Sequence, residues 1–294
     1  MNVLRRYSLL IAAILFFSFA GCAGPQLIEF RSPAIDGARP WTDHSFKNDP
    51  KDFQFVIVTD RTGRHRPGVF KKAMLQINLL QPEFVICVGD LIEGYTDNHD
   101  TLKQQYGEMD AILESLEMRF FRVVGNHDIT NAVMADVYRE RYGLPYYHFV
   151  YKNALFLIVS TEDPSGLNIS DTQVDYFHKA LKDNKNVRWT FVFMHRPLFV
   201  EHDGKLHAGW SKIENMVKDR PHSVFAGHWH TYAKHNKHGQ SYIRLATTGA
   251  VSKLRGIGAG EFDHIVWVTL TDKGPRIANL MLDGIHDENL RVSK

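Results

Sequence analysis

Five short stretches of this chain carry side chains of the kind that hold metal ions or move protons. They are Asp60, in Thr59-Asp60-Arg61-Thr62-Gly63; Asp90 and Glu93, in Gly89-Asp90-Leu91-Ile92-Glu93; Gly125-Asn126-His127-Asp128; His195; and Gly227-His228-Trp229-His230. An Asn offers a cation a neutral amide oxygen. A His gives or takes a proton, and an adjacent Asp can set its tautomer. Taken singly, each stretch is also ordinary turn or capping chemistry: Gly-Asn makes turns, and Asp128 would serve equally as a helix N-cap. Shared placement distinguishes them. Each follows on a short apolar run, at residues 53–59, 84–88, 120–124, 189–194 and 223–226.

These runs, rich in β-branched and aromatic residues, read as buried strands. Helical periods separate them. One carries Val69, Phe70, Ala73, Met74, Ile77 and Leu80, opened by Pro67 and stopped by Pro82. A second carries Leu102, Tyr106, Met109, Leu113 and Leu116, and a third lies near 132–141. The β-α-β alternation predicts a parallel sheet with right-handed crossovers. Open α/β sheets bind ligands beyond the carboxyl ends of their strands, so five loops bring Asp, Asp, Asn/His, His and His/His to one rim. Further on, 146–151 and 154–161 read as a hairpin around Lys152-Asn153. Ser170 with Gln173 forms a capping box for a helix bearing Val174, Phe177 and Leu181. A helix with Trp210, Ile213 and Val217 follows, then strands at 240–247, 264–270 and 275–282. No repeat or linker interrupts the pattern, which predicts one domain over 51–294.

A chain of 294 residues, 44% hydrophobic and 23% charged, can bury a substantial core. Setting aside Arg5 and Arg6, its 35 basic residues become 33, matched by 33 acids. That balance argues against a nucleic-acid partner. Sixteen His is a high content that asks for metal or proton chemistry. The run 9–20 after Arg5-Arg6 is shorter than a membrane span of ~20 residues and fits a signal peptide. It ends Phe19-Ala20-Gly21-Cys22, similar to the lipobox of bacterial lipoproteins, although Phe19 stands where Leu is usual. The expectation is a signal peptide over 1–21, lipidation at Cys22 and a Pro-rich tether over 22–50, placing the protein in the bacterial cell envelope. Cys87 would then be the one remaining thiol, so no disulfide framework is expected.

In order and content the five stretches resemble the calcineurin-like metallophosphoesterases, whose pattern is Asp-x-His, Gly-Asp-x-x-Asp/Glu, Gly-Asn-His-Asp/Glu, a lone His and Gly-His-x-His. The resemblance covers about residues 53–270. It implies an α/β fold of two mixed β-sheets flanked by helices, a four-layer αββα sandwich. It also implies hydrolysis of phosphate esters, mono or di, at a dinuclear centre of Mn, Fe or Zn. Two cations ~3.5–4 Å apart can acidify a water between them and clamp a phosphoryl oxygen. Carried over, the resemblance makes Asp90 the carboxylate shared by both metals. Asn126, His195 and His228 complete one site, and Asp60 and His230 belong to the other. His127 protonates the leaving oxygen, with Asp128 holding its second nitrogen.

One departure stands out. The family's first His is Thr62 here, a poorer ligand for a borderline metal. Glu93, His65 or water could fill the place. Purple acid phosphatases, distant relatives, put a Tyr ligand at the spacing of Glu93. Arg61, Arg64, His65 and Arg66 crowd the first loop, where guanidinium groups could grip a phosphate or simply be solvated. His202 and His207 read as surface residues, Trp229 as packing for the metal loop and Cys87 as core. The expected function is therefore metal-dependent phosphoester hydrolysis. A nuclease of the same superfamily is one alternative. A catalytically silent envelope protein that binds a phosphate-bearing ligand, suggested by Thr62, is the other.

Overall fold

The computed structural model describes residues 30, 39, 42, 44–202, 204 and 206–285. The expected signal peptide and Cys22 lie outside them. The chain divides into two compact units between Lys47 and Asn48, and every described strand and helix belongs to the unit that begins at Asn48.

Its strands are β1 (Phe53–Val58), β2 (Phe84–Cys87), β3 (Arg119–Phe121), β4 (Tyr147–Tyr151), β5 (Ala154–Ile158), β6 (Glu162–Asp163), β7 (Asn168–Ile169), β8 (Trp189–Phe193), β9 (His222–Ala226), β10 (Ala233–Lys237), β11 (Gln240–Arg244), β12 (His264–Thr271) and β13 (Gly274–Met281). The helices are α1 (Val69–Leu80), α2 (His99–Leu113), α3 (Ala132–Tyr142), α4 (Asp171–Asp183) and α5 (Ala208–Val217). Two large mixed sheets result. One runs β13-β12-β1-β2-β3 and the other β10-β11-β9-β8-β5-β4, while β6 and β7 pair separately. Strands β1, β2 and β3 are parallel, as the β-α-β pattern predicts. The two mixed sheets of the expected sandwich are both present: the chain returns β12 antiparallel against β1 in the first, and β11 joins β9 in the second.

Side-chain alternation shows why the layers form. In β5, Ala154, Phe156 and Ile158 join the core that also holds Phe53, Phe55 and Phe84. Their neighbours Leu155, Leu157 and Val159 join a second core with Val174, Phe177 and Trp210 of α4 and α5. Period two thus gives this sheet two apolar faces, one for the opposite sheet and one for helices. An aromatic layer fills the space between the sheets. Phe55 stacks on Phe84 at 5.2 Å and meets Phe156 and Phe191 edge-on at 5.5 and 5.2 Å. Burying each such ring is worth ~1.5–3 kcal/mol before packing is counted.

Local signals fix the helix starts. Asn98 and Asn131 cap α2 and α3, accepting from the amides of Thr101 (2.9 Å) and Met134 (3.0 Å). Asp128 is therefore not the cap of α3. Ser170 accepts from Gln173 N at 3.1 Å, but only half of the expected capping box forms. The Gln173 side chain instead bonds Ser160 N and Ser160 O, tying α4 to the end of β5.

Candidate metal centre

The carboxyl ends of β1, β2, β3, β8 and β9 converge, and each presents one of the expected groups. At the centre is the His195 ring, fully buried. Its Nδ1 donates to the Val88 carbonyl at 2.9 Å, leaving Nε2 facing the cluster. Around that Nε2 lie Asn126 Oδ1 at 2.9 Å, Asp90 Oδ2 at 3.1 Å and His228 Nδ1 at 3.1 Å. Asp90, His195 and His228 offer ligand atoms within 4.8 Å of one another, a grouping that could hold a metal ion.

The electrostatics are those of a metal-free cluster that draws in positive charge, and a cation bound there would displace the proton on His195. Burial alone would lower His195, but the charge and hydrogen bond of Asp90 raise it to about 9. His228 is pushed down to about 3 by burial and by the positive charges of His195 and Arg196, which keeps its imidazole neutral, the form that coordinates. Close approach is built into the backbone as well. A Cβ on Gly125 would lie 2.2 Å from Asp90 Oδ1, so only glycine fits there.

A second group adjoins the first. His230 donates Nδ1 to the Val251 carbonyl at 2.8 Å and turns Nε2 to Asp60 Oδ1 at 3.3 Å. Burial would raise the Asp60 carboxyl, but the His230 hydrogen bond and the charge of His195 outweigh it and hold it well below the usual carboxylate range. Asp60 Oδ1 also accepts from His228 N at 2.9 Å, joining the two groups. Thr62, two residues after Asp60, is fully buried and brings no imidazole.

Glu93 and His65, the expected substitutes, are engaged elsewhere. The Glu93 carboxylate accepts from Arg64 N (3.1 Å) and His65 N (2.9 Å) and meets His65 Nδ1 at 2.8 Å. Together they close the first loop as a staple. Glu93, expected as one possible replacement ligand alongside His65 or water, is thus held within the first loop by these bonds.

His127 sits at the edge of the cluster. Its Nδ1 donates to the Glu93 carbonyl at 2.7 Å, and its Nε2 lies 3.6 Å from where a Cβ on Gly63 would stand. That same point is 3.3 Å from His230 Cε1, so both rings face the first loop. The expected Asp128–His127 contact is corrected: a backbone carbonyl sets the His127 ring. Asp128 accepts instead from the amides of Asp90 (2.8 Å), Leu91 (3.0 Å) and Gly125 (2.8 Å), binding the second and third loops together. Burial and the nearby Asp90 charge push its carboxyl up to about 6.

Arg61 is also placed differently from the expected phosphate grip. It is buried and donates Nη1 to the Leu91 carbonyl at 2.8 Å. Arg64 is exposed. The guanidinium against the cluster is that of Arg196, which pairs with Glu162 (2.7 Å) and stands 3.1 Å from His228 Nε2. Its only sequence signal was adjacency to His195. Trp229 is half exposed rather than packed, with the Arg244 guanidinium 4.3 Å from its ring centre. Cys87 is buried, its thiol pushed up to about 12 by burial, consistent with core. His202 is exposed. His207 is half-buried and immediately precedes α5.

Two mixed sheets with a carboxylate–amide–imidazole cluster at their common rim define a metal-site α/β sandwich. Residues 53–232, more than half of the chain, match the family described as calcineurin-like phosphoesterase. The chain belongs to that family and is a metallophosphoesterase, a metal-dependent hydrolase of phosphoric esters. Among solved structures its fold is similar to a dimetal phosphatase from Danio rerio, with 13% identity, a TM-score of 0.53 and coverage of 78% of this chain and 99% of that one. It is similar to purple acid phosphatase PPD1 from yellow lupin, with 16% identity and a TM-score of 0.61 over 80% of this chain and 52% of that one. GAP50, the anchor in the inner membrane complex of Plasmodium, shares 13% identity and a TM-score of 0.58 over 80% and 86%. At such identities the likeness is one of fold. No curated protein matches the chain in sequence.

Proposed function

We propose that the chain cleaves phosphate esters at a centre for two transition-metal ions, one site complete and the other short of a ligand. The observation that carries this reading is the convergence of Asp90 Oδ2, Asn126 Oδ1 and His228 Nδ1 on His195 Nε2, within 2.9–3.1 Å. These four would hold one ion. Asp60, His230 and a share of Asp90 would hold the other, with water in the place left by Thr62. The donor set of carboxylate, amide and imidazole suits Mn, Fe or Zn.

Bound there, metal ions would supply Lewis acidity, lowering the pKa of a water and neutralising phosphoryl charge. The protein's own part is to fix charges and protons. Asp90 keeps one oxygen for cations, because its other oxygen accepts from His127 N at 2.9 Å. His127, with Nδ1 committed to the Glu93 carbonyl, has Nε2 free to protonate the departing ester oxygen. Asp128 holds the two loops in register. Reaction with a panel of phosphomonoesters and diesters, run with and without a chelator, tests the reading. Turnover that needs a divalent ion supports it, and no turnover with any ion points to the silent binder.

We further infer, from the 9–20 run and Cys22, that the protein is exported and lipid-anchored in the cell envelope. More than one acyl chain would be needed for stable anchoring.

A further inference from the structure

The loop after Asp90 bears an aromatic residue that has no part in the proposed chemistry. Tyr95 is 57% exposed, yet its hydroxyl accepts from Asn126 Nδ2 at 2.9 Å. Its ring stands edge-on to the His127 ring, centroids 4.7 Å apart. The same loop supplies the Glu93 carbonyl that receives His127 Nδ1 at 2.7 Å. Three successive residues, Glu93-Gly94-Tyr95, therefore grip Asn126 and His127 from outside.

The backbone is shaped for this grip. Gly94 and Tyr95 both have positive φ, +58° and +51°. For a Tyr that conformation is disfavoured, and such residues collect at functional sites where their surroundings enforce them. A Cβ on Gly94 would fall 1.8 Å from the His127 carbonyl oxygen, so no other residue lets the loop come this close.

We infer that Tyr95 is a positioning residue that acts on both halves of the site. Its hydroxyl holds the Asn126 amide by the nitrogen end, so that Oδ1 faces the ring of metal-binding atoms. Its ring bars one side of the His127 imidazole, leaving Nε2 directed inward. The inference rests on the reading of Asn126 as a ligand and His127 as an acid. It goes beyond that reading in assigning both orientations to one exposed phenol.

The two contacts can be separated by substitution. Tyr95→Phe removes the hydroxyl and keeps the ring; Tyr95→Leu removes both. The side chain is exposed, so neither change opens a core cavity. The full chain would be stripped of metal, and Mn²⁺ affinity measured by competition with a chromogenic chelator. Hydrolysis would then be compared on an aryl and an alkyl phosphate. Loss of an outer hydrogen bond to a ligand typically weakens a metal site by about 10–100-fold, and Tyr95→Phe should show that loss with an unchanged alkyl-to-aryl ratio. Tyr95→Leu should bind Mn²⁺ as weakly and in addition lower that ratio by on the order of tenfold, a part of the full general-acid effect. Wild-type Mn²⁺ affinity in Tyr95→Phe, or a wild-type ratio in Tyr95→Leu, overturns the inference while leaving the proposed hydrolase intact. A wild-type chain that neither binds Mn²⁺ nor turns over either ester overturns both.

Discussion

The backbone amide of His127 donates to Asp90 Oδ1 at 2.9 Å, which couples the proposed general acid to the carboxylate at the heart of the proposed metal site. Asp90 keeps Oδ2 for the cluster, 3.1 Å from His195 Nε2. Neither residue can shift without the other, and Asp128 reinforces the link by accepting from Asp90 N and Gly125 N at once. The proposed acid and the proposed metal site are therefore tied together through backbone, and substitutions should separate their chemistry only where side chains, not backbone, are changed.

His127→Ala removes the ring and keeps the amide that orients Asp90. We expect Mn²⁺ content close to wild type. Turnover of alkyl phosphates should fall by about 10²–10⁴-fold, while activated aryl esters, whose leaving groups need little protonation, lose far less. Steady-state rates on the two ester types decide it. An equal loss on both would give His127 another role.

Thr62→His would add an imidazole to the proposed second site. We expect tighter binding of a second equivalent of Zn²⁺, by about tenfold or more, which is ~1.4 kcal/mol. Because Thr62 is fully buried, the larger ring should also lower the stability of the metal-free chain by ~1–3 kcal/mol. Calorimetric titration with Zn²⁺ reads the first effect. Unchanged stoichiometry and affinity would mean that position 62 does not face the metals.

Glu93→Gln should act on the loop rather than on metal affinity. Burial would raise the Glu93 carboxyl, but the hydrogen bonds it accepts from the amide and ring of His65 and from Arg64 N outweigh it and bring it from 4.5 to about 2. A carboxyl lower in the folded chain stabilises fully above its unfolded value and loses that contribution as pH falls towards the folded one. The stability gap between wild type and Glu93→Gln should thus be about 1 kcal/mol at neutral pH, small because the pair is partly exposed. It should shrink between pH 4.5 and 2. Urea midpoints at several pH values measure it, and a gap that widens on acidification would contradict the assignment.

Cys22→Ala tests the proposed anchor. The variant should leave the membrane fraction for the soluble envelope fraction if Cys22 carries the lipid. Continued sedimentation with membranes would point to an uncleaved apolar segment at 9–20.

How much of this was legible in the sequence depended on where each hydrogen bond ends. That Asp60, Asp90, Asn126, His195, His228 and His230 come together is readable because a buried strand followed by a ligand-type residue is a local pattern, and parallel strands carry their ends to one rim. The Glu93 staple and the three amides on Asp128 leave no trace in the sequence, since all of their partners but the His65 ring are backbone groups, which carry no signature. Tyr95 reaches Asn126 only because two left-handed residues fold the loop back, which the letters Gly-Tyr do not announce. Strand β10 was missed for a related reason. Its residues, Ala-Lys-His-Asn-Lys, are polar on an outer edge and lack an apolar alternation.

If the cluster around His195 Nε2 holds a metal on which phosphoester hydrolysis depends, removing that metal must abolish turnover and restoring it must bring turnover back. The direct measurement is turnover of an aryl phosphate by chelator-stripped chain as Mn²⁺ is added back, alongside the same titration of Asp90→Asn. Stripped wild type should be inactive and should recover as metal binds. Asp90→Asn, having lost the carboxylate that faces the cluster, should bind little metal and recover little. Full activity in the stripped wild type, or full metal content and recovery in Asp90→Asn, would show that the cluster does not hold a catalytic metal.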